Sequence, residues 1–205
     1  MSERVRNFWF APMGAYALAG CRIAVALAML LNLQRNAGGF SLDTDRYLIY
    51  ILRGTGSWQP ISLFDTFSLP APSADAVVAL FWITLVAGLL LLVGALSRVA
   101  AGTALAAFYV LMLTTNSWGK LTHSYEVVTL GLLILACARC GDAWSVDVLV
   151  RRWRERRRSA RDVSGVAASD TGVDTAVSVD RRPLMSWHYR WPVKLIQLQF
   201  ALVFF

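Results

Sequence analysis

Residues 74–96 read ADAVVALFWITLVAGLLLLVGAL and contain one charged residue, Asp75, near their start. A helix that crosses the hydrocarbon core of a bilayer needs about 20 apolar residues at a rise of about 1.5 Å each. This stretch meets that length without a break. It therefore predicts a transmembrane helix, and a membrane protein rather than a soluble domain.

The rest of the chain repeats this pattern. Hydrophobic residues make up 57% of the 205 residues and charged residues 16%, whereas soluble domains are about half apolar and about a quarter charged. Further apolar runs cover Met13 to Leu33, Val99 to Thr115 and Tyr125 to Ala138, and another begins at Trp191. We predict an all-α fold: a polytopic transmembrane helical bundle with four complete spans and the start of a fifth, inside which we expect the chain to stop.

The distribution of Lys and Arg predicts the orientation of the bundle. The loops on the side of the bundle opposite the N-terminus hold only Arg35, Arg46, Arg53 and Lys120. The N-terminal segment and the segment after the fourth run hold many more: Arg4, Arg6, Arg151, Arg152, Arg154, Arg156, Arg157, Arg158, Arg161, Arg181, Arg182 and Arg190. Because positive residues collect on the cytoplasmic side, we predict a multi-pass protein of the cell (plasma) membrane with a cytoplasmic N-terminus. The net charge of +7 indicates contact with the lipid bilayer and its anionic lipids, and not with nucleic acid.

The Arg-rich segment divides into two parts. Within residues 145–158, the apolar residues Val146, Leu149, Val150 and Trp153 fall on one helical face, with arginines elsewhere. This pattern is typical of an amphipathic helix that lies in the membrane interface. Residues 159–183 lack a helical period, which predicts a flexible cytoplasmic linker.

Ionisable residues beside the fourth run mark the candidate site. His123 and Glu126 are three positions apart and share a helix face, and Arg22 lies in the first run. Charged groups at membrane depth need partners, so we predict a polar pocket of Arg22, His123 and Glu126 near the outer face, with Trp118 and Tyr125 close by. Histidine, whose ordinary pKa lies near neutral pH, is suited to proton transfer, which makes His123 the candidate catalytic residue. The alternative is a structural Arg22–Glu126 pair that only sets the register of two helices.

Two cysteines suggest a different function. Cys137 and Cys140 have the Cys-x-x-Cys spacing of thiol oxidoreductases. They lie at the predicted cytoplasmic end of the fourth run, where thiols stay reduced. With three cysteines in the sequence, there is no second pair to relay electrons, so we rank a membrane thiol oxidoreductase below the functions considered next. We predict no metal site.

Four pieces of the sequence resemble one membrane-protein family. They are, in order, Ser117-Trp118, His123-Ser124-Tyr125, Trp144-Ser145-Val146-Asp147, and a helix that starts near Trp191 and carries Gln197 and Phe204. At this spacing they resemble the integral membrane domain of the vitamin K-dependent gamma-carboxylases, found in bacteria as the HTTM (horizontally transferred transmembrane) domain. The resemblance covers nearly the whole chain. Residues 1–205 are therefore expected to form one incomplete HTTM-like domain of a bacterial protein.

The resemblance implies a chemistry and a role for His123. In the animal enzymes, reduced vitamin K is deprotonated and oxygenated, and the strong base that results permits carboxylation of a peptide Glu. The histidine of the His-Ser-Tyr motif takes part and corresponds to His123, whereas the catalytic lysine corresponds to a position beyond Phe205. The resemblance thus implies carboxylase-like lyase or ligase chemistry on a quinone-like or lipid-embedded substrate, with reduced vitamin K or another quinone as cofactor. The alternative is a non-catalytic membrane subunit or binding protein.

Overall fold

Nearly all regular structure in the computed structural model, which describes residues 3–36, 58–118, 124–166 and 185–204, is α-helical. Two-residue strands at Met13–Gly14 and Met185–Ser186 pair antiparallel, and a short 3-10 turn, Trp187–Tyr189, precedes the last helix. The all-α prediction is confirmed. The helices are α1 (Glu3–Phe10), α2 (Ala15–Asn36), α3 (Leu63–Thr66), α4 (Ala74–Val93), α5 (Ser97–Ser117), α6 (Ser124–Cys137), α7 (Val146–Val166) and α8 (Arg190–Phe204).

Three helices in the described part of the chain are long and apolar enough to cross a membrane. They are Ala15–Arg35 within α2, Ala74–Val93 and Ser97–Ser117. Helix α6 is also apolar, but its 14 residues extend only about 21 Å, against a hydrocarbon core of about 30 Å. The fourth complete span and the start of a fifth therefore stay predictions.

The outer face of α4 shows a surface suited to lipid. Only 33% of its apolar window is buried inside the chain. In water an apolar patch of this extent would drive association, whereas in hydrocarbon it is already in a favourable solvent. The large exposed side chains of α4 are Trp82, Ile83, Val86, Leu89, Leu90 and Val93.

Helix α5 packs in the interior of the bundle. Of its apolar window, 61% is buried, and it contacts both α4 and α6. Its buried alanines, Ala100, Ala101, Ala104 and Ala107, let neighbouring backbones approach closely, which is how helices associate without a hydrophobic driving force. On the α2 side of α4, Gly88 permits a similar approach, since a Cβ there would lie 2.9 Å from Cδ2 of Leu30.

Neighbouring helices run in opposite directions, so their polar residues collect at two ends of the bundle. The short turn Gly94–Leu96 reverses the chain between α4 and α5. Arg22 of α2 binds Cys140 just after α6, and Gln199 of α8 binds Val127 near the start of α6. We call the end with the α4–α5 turn and the start of α7 the clasp end. The opposite end, where α6 starts, is the far end.

The segment before α2 fixes the start of α8 at the clasp end. Nε of Arg190 donates to the carbonyl oxygen of Phe8 at 2.8 Å, and Nζ of Lys194 lies 4.7 Å from the centroid of the Phe8 ring. The rings of Phe10 and Trp187 meet edge to face with centroids 5.9 Å apart. Together with the two-stranded pairing, these contacts set where α8 enters the bundle.

Helix α7 begins where the interfacial helix is predicted and runs farther. It starts at Val146, directly after Ser145, and continues to Val166, whereas the predicted helix ends at Arg158. Residues 159–166, which the sequence pattern predicts to be part of the linker, are helical. The sequence allows this because it contains no Gly or Pro in this stretch before Gly165. The remainder of the predicted linker, 167–183, lies outside the described residues.

Candidate functional site

A buried arginine occupies the centre of the clasp end. Arg22 has no exposed surface. Its Nη1 donates to the carbonyl oxygens of Cys140 at 2.7 Å and Ala143 at 3.4 Å, and its Nη2 donates to that of Trp144 at 2.6 Å; its Nε has no hydrogen-bond partner among the described residues. The three acceptors lie in the turn between α6 and α7, where buried backbone carbonyl groups need donors from outside a helix. Backbone dipoles, not a carboxylate, are thus the direct ligands of the guanidinium.

The predicted pairing of Arg22 with Glu126 is wrong. Glu126 lies in the first turn of α6, whereas Arg22 binds carbonyl groups beyond the last turn of that helix. The physical reason is that side chains lean toward the N-terminus of their own helix, which for α2 is the clasp end. Glu126 is exposed at the far end and has other interactions there.

Asp147 joins the start of α7 to the start of α5. Its Oδ1 accepts from the Leu96 N–H at 2.8 Å, and its Oδ2 accepts from both the N–H and the hydroxyl of Ser97 at 3.0 Å. Such N–H groups at a helix start have no partner within the helix, so Asp147 caps α5 from a distant segment. Burial acts to raise the pKa of Asp147, but the hydrogen bonds from Ser97 and Leu96, with the charge of Arg22, lower it below its usual value.

The Trp-Ser pair before α7 turns the chain into position. Trp144 has a φ of 44°, and its carbonyl oxygen points at Arg22. The Ser145 hydroxyl donates to the carbonyl oxygen of Gly141 at 2.5 Å and accepts from the Val148 N–H at 3.2 Å. Ser145 is therefore the N-cap of α7.

Gly94 completes the arrangement because no side chain fits at its position. Its φ is 74°, and a Cβ would lie 2.5 Å from Cβ of Ser145 and 2.8 Å from Nη1 of Arg22. Its carbonyl oxygen accepts from the Asp147 N–H at 3.2 Å. We call Arg22, Gly94, Ser97, Ser145 and Asp147 the Arg22 clasp. The Trp-Ser-Val-Asp motif is part of this clasp and has a structural role.

A second polar and aromatic group lies at the far end. Nδ2 of Asn116 donates to the hydroxyl oxygen of Tyr125 at 2.7 Å, which links the end of α5 to the start of α6. The ring centroid of Trp118 lies 5.6 Å from that of Trp58, which in turn lies 5.3 Å from that of Phe64. The structure therefore brings Trp118 and Tyr125, both predicted site residues, to the same end of the bundle.

Two buried oxygen atoms at the far end have no hydrogen-bond partner among the described residues. One is Oγ of Ser117, a residue with no exposed surface. The other is Oε1 of Gln199, whose Nε2 donates to the carbonyl oxygen of Val127. A buried polar group left unpaired costs about 1–3 kcal/mol and calls for an explanation such as a ligand. We call Asn116, Ser117, Tyr125 and Gln199, which share this end of the bundle, the far-end polar cluster.

The His-Ser-Tyr motif borders this cluster in the chain. His123 lies outside the described residues, and Ser124 is the first residue of α6. Tyr125 follows as a buried residue and Glu126 as an exposed one. The predicted closeness of His123 to Glu126 and Tyr125 stays a prediction.

The cysteines do not favour redox chemistry. Cys137 is exposed and Cys140 is buried, and both are free thiols. Burial raises the pKa of Cys140 to about 11, so at neutral pH it is not the thiolate that thiol exchange requires. Among the described residues there is also no group of three His, Cys, Asp or Glu side chains placed to hold a metal ion.

The family model described as the HTTM domain matches residues 10–161. The chain belongs to the HTTM domain family. This membership and the three apolar helices make it a membrane protein related to the gamma-carboxylases. The HTTM match contains the whole Arg22 clasp, as well as Asn116, Ser117 and Tyr125 of the far-end polar cluster. No curated protein and no solved structure matches the chain.

Three residues that matter in this HTTM protein were missed by the sequence analysis. Asn116 is a polar residue at the end of the apolar helix α5, and Gln199 is a polar residue inside the apolar helix α8. A polar residue within an apolar run was the signal that could have identified them. Gly94 gave no comparable signal, because glycine is common after helices for conformational reasons alone. Its close contact with Arg22 depends on which way the arginine side chain points.

Replacing Arg22 with Met tests the Arg22 clasp. The change keeps side-chain length but leaves the carbonyl groups of Cys140 and Trp144 without donors, so we expect a loss of about 3 kcal/mol of stability and a clearly lower melting temperature in detergent. Arg35→Met is the matched control, because Arg35 is an exposed arginine near the end of the same helix. Equal melting temperatures for the two variants would contradict the clasp.

Asp147→Asn tests the cap on α5 through its pH dependence. The native pKa of Asp147 is lowered, so the carboxylate stabilises the fold above its unfolded pKa of about 3.9 and loses this effect as the pH falls through the lower native pKa. At pH 7 we expect the variant to be about 1–2 kcal/mol less stable than the native protein. The gap should shrink as the pH falls below 4, and melting curves from pH 7 to 3 measure it. Asp65→Asn, at an exposed carboxylate, should show no such gap.

Proposed function

We propose that this HTTM protein is the membrane domain of an enzyme that acts on a quinone-like or lipid-embedded substrate at the far end of the bundle. The observation that carries the proposal is the presence of two buried acceptors, Oγ of Ser117 and Oε1 of Gln199, without partners among the described residues. They lie at the same end as the hydrogen-bonded pair Asn116 and Tyr125. A ligand with hydroxyl donors would remove the cost of burying these acceptors.

The far-end residues suit a hydroquinone in two respects. Ser117 and Gln199 offer oxygen acceptors to its hydroxyl groups, and the rings of Trp58 and Trp118 provide aromatic surface of the kind that packs against a flat ring. A reduced quinone supplies an acidic hydroxyl group whose proton a base can remove. The family relationship of the HTTM domain to the gamma-carboxylases supports a ligand of this class.

His123 is the proposed proton-transfer residue. It directly precedes α6 in the chain, next to the turn that carries Tyr125 and Glu126. Histidine near its ordinary pKa can both accept and release a proton at neutral pH. Asn116, through its bond to Tyr125, would hold the adjoining turn of α6 in one position.

We also propose the orientation of the bundle in the plasma membrane. In this orientation the chain crosses four times and begins a fifth crossing, with the N-terminus and α7 in the cytoplasm. Support comes from the alternating directions of α2, α4, α5 and α6 and from the excess of arginine at the clasp end. The far end would then face outward.

Single-cysteine labelling tests this orientation. In a variant without native cysteines, Ser62→Cys should react with a membrane-impermeant maleimide on intact cells, because Ser62 is exposed and precedes α4 at the far end. Ser169→Cys, in the segment after α7, should react only after the membrane is permeabilised. Labelling of Ser169→Cys on intact cells would contradict a cytoplasmic clasp end.

The activity test compares the two histidines of the chain. With reduced vitamin K and oxygen, full-length protein in lipid nanodiscs should oxidise the quinol, and His123→Ala should lower the rate by about 10²-fold or more, as expected for loss of an acid–base group. His188→Ala is the control, because His188 stacks on Trp187 at the clasp end. Melting temperatures of both variants should match the native protein.

The outcomes separate the alternatives. Equal rates for His123→Ala and His188→Ala would contradict the role of His123. Saturable quinol binding without turnover, lost on Gln199→Leu, would favour the non-catalytic subunit or binding protein. Turnover that instead disappears with Cys137→Ala would favour thiol chemistry.

A further inference from the structure

One exposed face of α7 is apolar. Val146, Leu149, Val150 and Trp153 lie one or two helical turns apart on this face, and their exposed fractions are 39%, 64%, 39% and 51%. Val148 lies on the other side of the helix and is buried. The helix is attached to the bundle through its first turn, where Asp147 binds Leu96 and Ser97, and its apolar stripe is uncovered.

This stripe is continuous with the lipid-facing surface of the bundle. A groove of about 380 Å³ lies between the end of α4 and the start of α7, with Val93, Trp144, Leu149 and Arg152 in its lining. Tyr16 forms another wall, and its ring lies 5.5 Å from that of Trp144. Val93 is the last residue of the apolar helix α4 and is half exposed. A lipid chain that follows α4 would therefore reach the apolar stripe of α7 through a mostly apolar groove, whose polar lining residues are Asp142, Ser145 and Arg152.

Arginines border the stripe. Arg152, Arg156 and Arg157 are exposed. With about 3.6 residues per turn, Arg152 and Arg156 lie along one edge of the stripe. Arg157 lies one turn after Trp153 at the end of the stripe, where its guanidinium carbon is 3.7 Å from the centroid of the Trp153 ring. Arg152 also lines the groove. Tryptophan and arginine together at the border of an apolar surface are typical of the headgroup layer of a membrane.

We propose that α7 lies in the headgroup layer of the adjoining leaflet and binds anionic phospholipid. An acyl chain occupies the groove beside Val93 and Trp144, and the phosphate group contacts Arg152 with help from Arg156 and Arg157. The positive charge selects anionic over neutral lipid, and the apolar stripe sets the depth of the helix. This binding surface lies at the clasp end and does not depend on the proposed chemistry at the far end.

The depth of α7 can be measured by spin labelling of the full chain. Nanodiscs of phosphatidylcholine with phosphatidylglycerol would contain cysteine-free protein labelled at either Leu149→Cys or Arg154→Cys, with melting curves as a check on folding. We expect the label at 149 to be accessible to oxygen and shielded from the polar nickel reagent NiEDDA, and the label at 154 to show the reverse. Equal exposure of both labels to NiEDDA would overturn the proposal. Shielding of position 149 from both reagents in a dimeric sample would show that a second copy covers the face, and would also overturn it.

Lipid selection is tested with matched charge variants. Native mass spectrometry of the full chain should show retained phosphatidylglycerol, and Arg152, Arg156 and Arg157→Gln together should lower the preference for phosphatidylglycerol over phosphatidylcholine by about tenfold or more. The corresponding triple Lys variant keeps the charge and should keep most of the preference. An unchanged preference in the Gln variant would overturn the assignment of these arginines.

Discussion

The architecture depends on a guanidinium group that is buried in an apolar bundle and must find acceptors there. Removing the charge of Arg22 from water is costly unless hydrogen bonds replace its hydration. The turn between α6 and α7 presents the complementary problem, since its buried backbone carbonyl groups lie outside any helix and need donors. Each solves the other, at N–O distances of 2.6 and 2.7 Å to Trp144 and Cys140. The solution requires α2 to lie at one height relative to α6, so a single side chain sets the register of two helices of the bundle.

The hydrogen bonds of Arg22 also fix the backbone that leads into the start of α7. The turn that offers its carbonyl groups to Arg22 also gives Trp144 its left-handed conformation and places Ser145 as an N-cap. Two residues later, Asp147 meets the uncapped start of α5. The negative charge of Asp147 makes two favourable interactions. It faces the positive N-terminal end of α5, and it lies near the buried guanidinium of Arg22. Cap, turn and arginine therefore form one unit, in which the absence of a side chain at Gly94 leaves the necessary space.

The sequence predicts the positions of the helices much better than it predicts which polar groups bind one another between them. The run from Ala74 to Leu96 became a helix that ends at Val93, because hydropathy fixes a helix locally while a glycine conformation decides its last residues. The placement of Trp118 and Tyr125 at one end followed from the short connection between two runs. The partner of Arg22 did not follow, because a carboxylate such as Glu126 is the more familiar partner of an arginine than backbone carbonyl groups at the other end of α6. Side chains lean toward the N-terminus of their own helix, and this rule would have directed Arg22 to the clasp end. Backbone carbonyl groups are present at every residue, so a sequence does not show which of them will accept a hydrogen bond. Gln199 was missed for a similar reason, since its importance depends on one oxygen atom that folding leaves without a described partner.

The two ends of the bundle use their polar residues differently, and this difference bears on where chemistry can occur. At the clasp end, Ser145 and Asp147 bind backbone groups of the chain itself, and the Ser97 hydroxyl donates to Asp147, which joins the starts of α5 and α7. At the far end, Ser117 and Gln199 keep acceptors that no described group uses. A membrane protein gains nothing in stability from buried acceptors of that kind, since an apolar residue of similar volume would avoid their desolvation cost. In the proposed function, a ligand with hydroxyl donors binds these acceptors and removes that cost. The rigid clasp then has a direct consequence for that ligand, because the register it sets between α2 and α6 carries through both helices to the end where the far-end polar cluster lies.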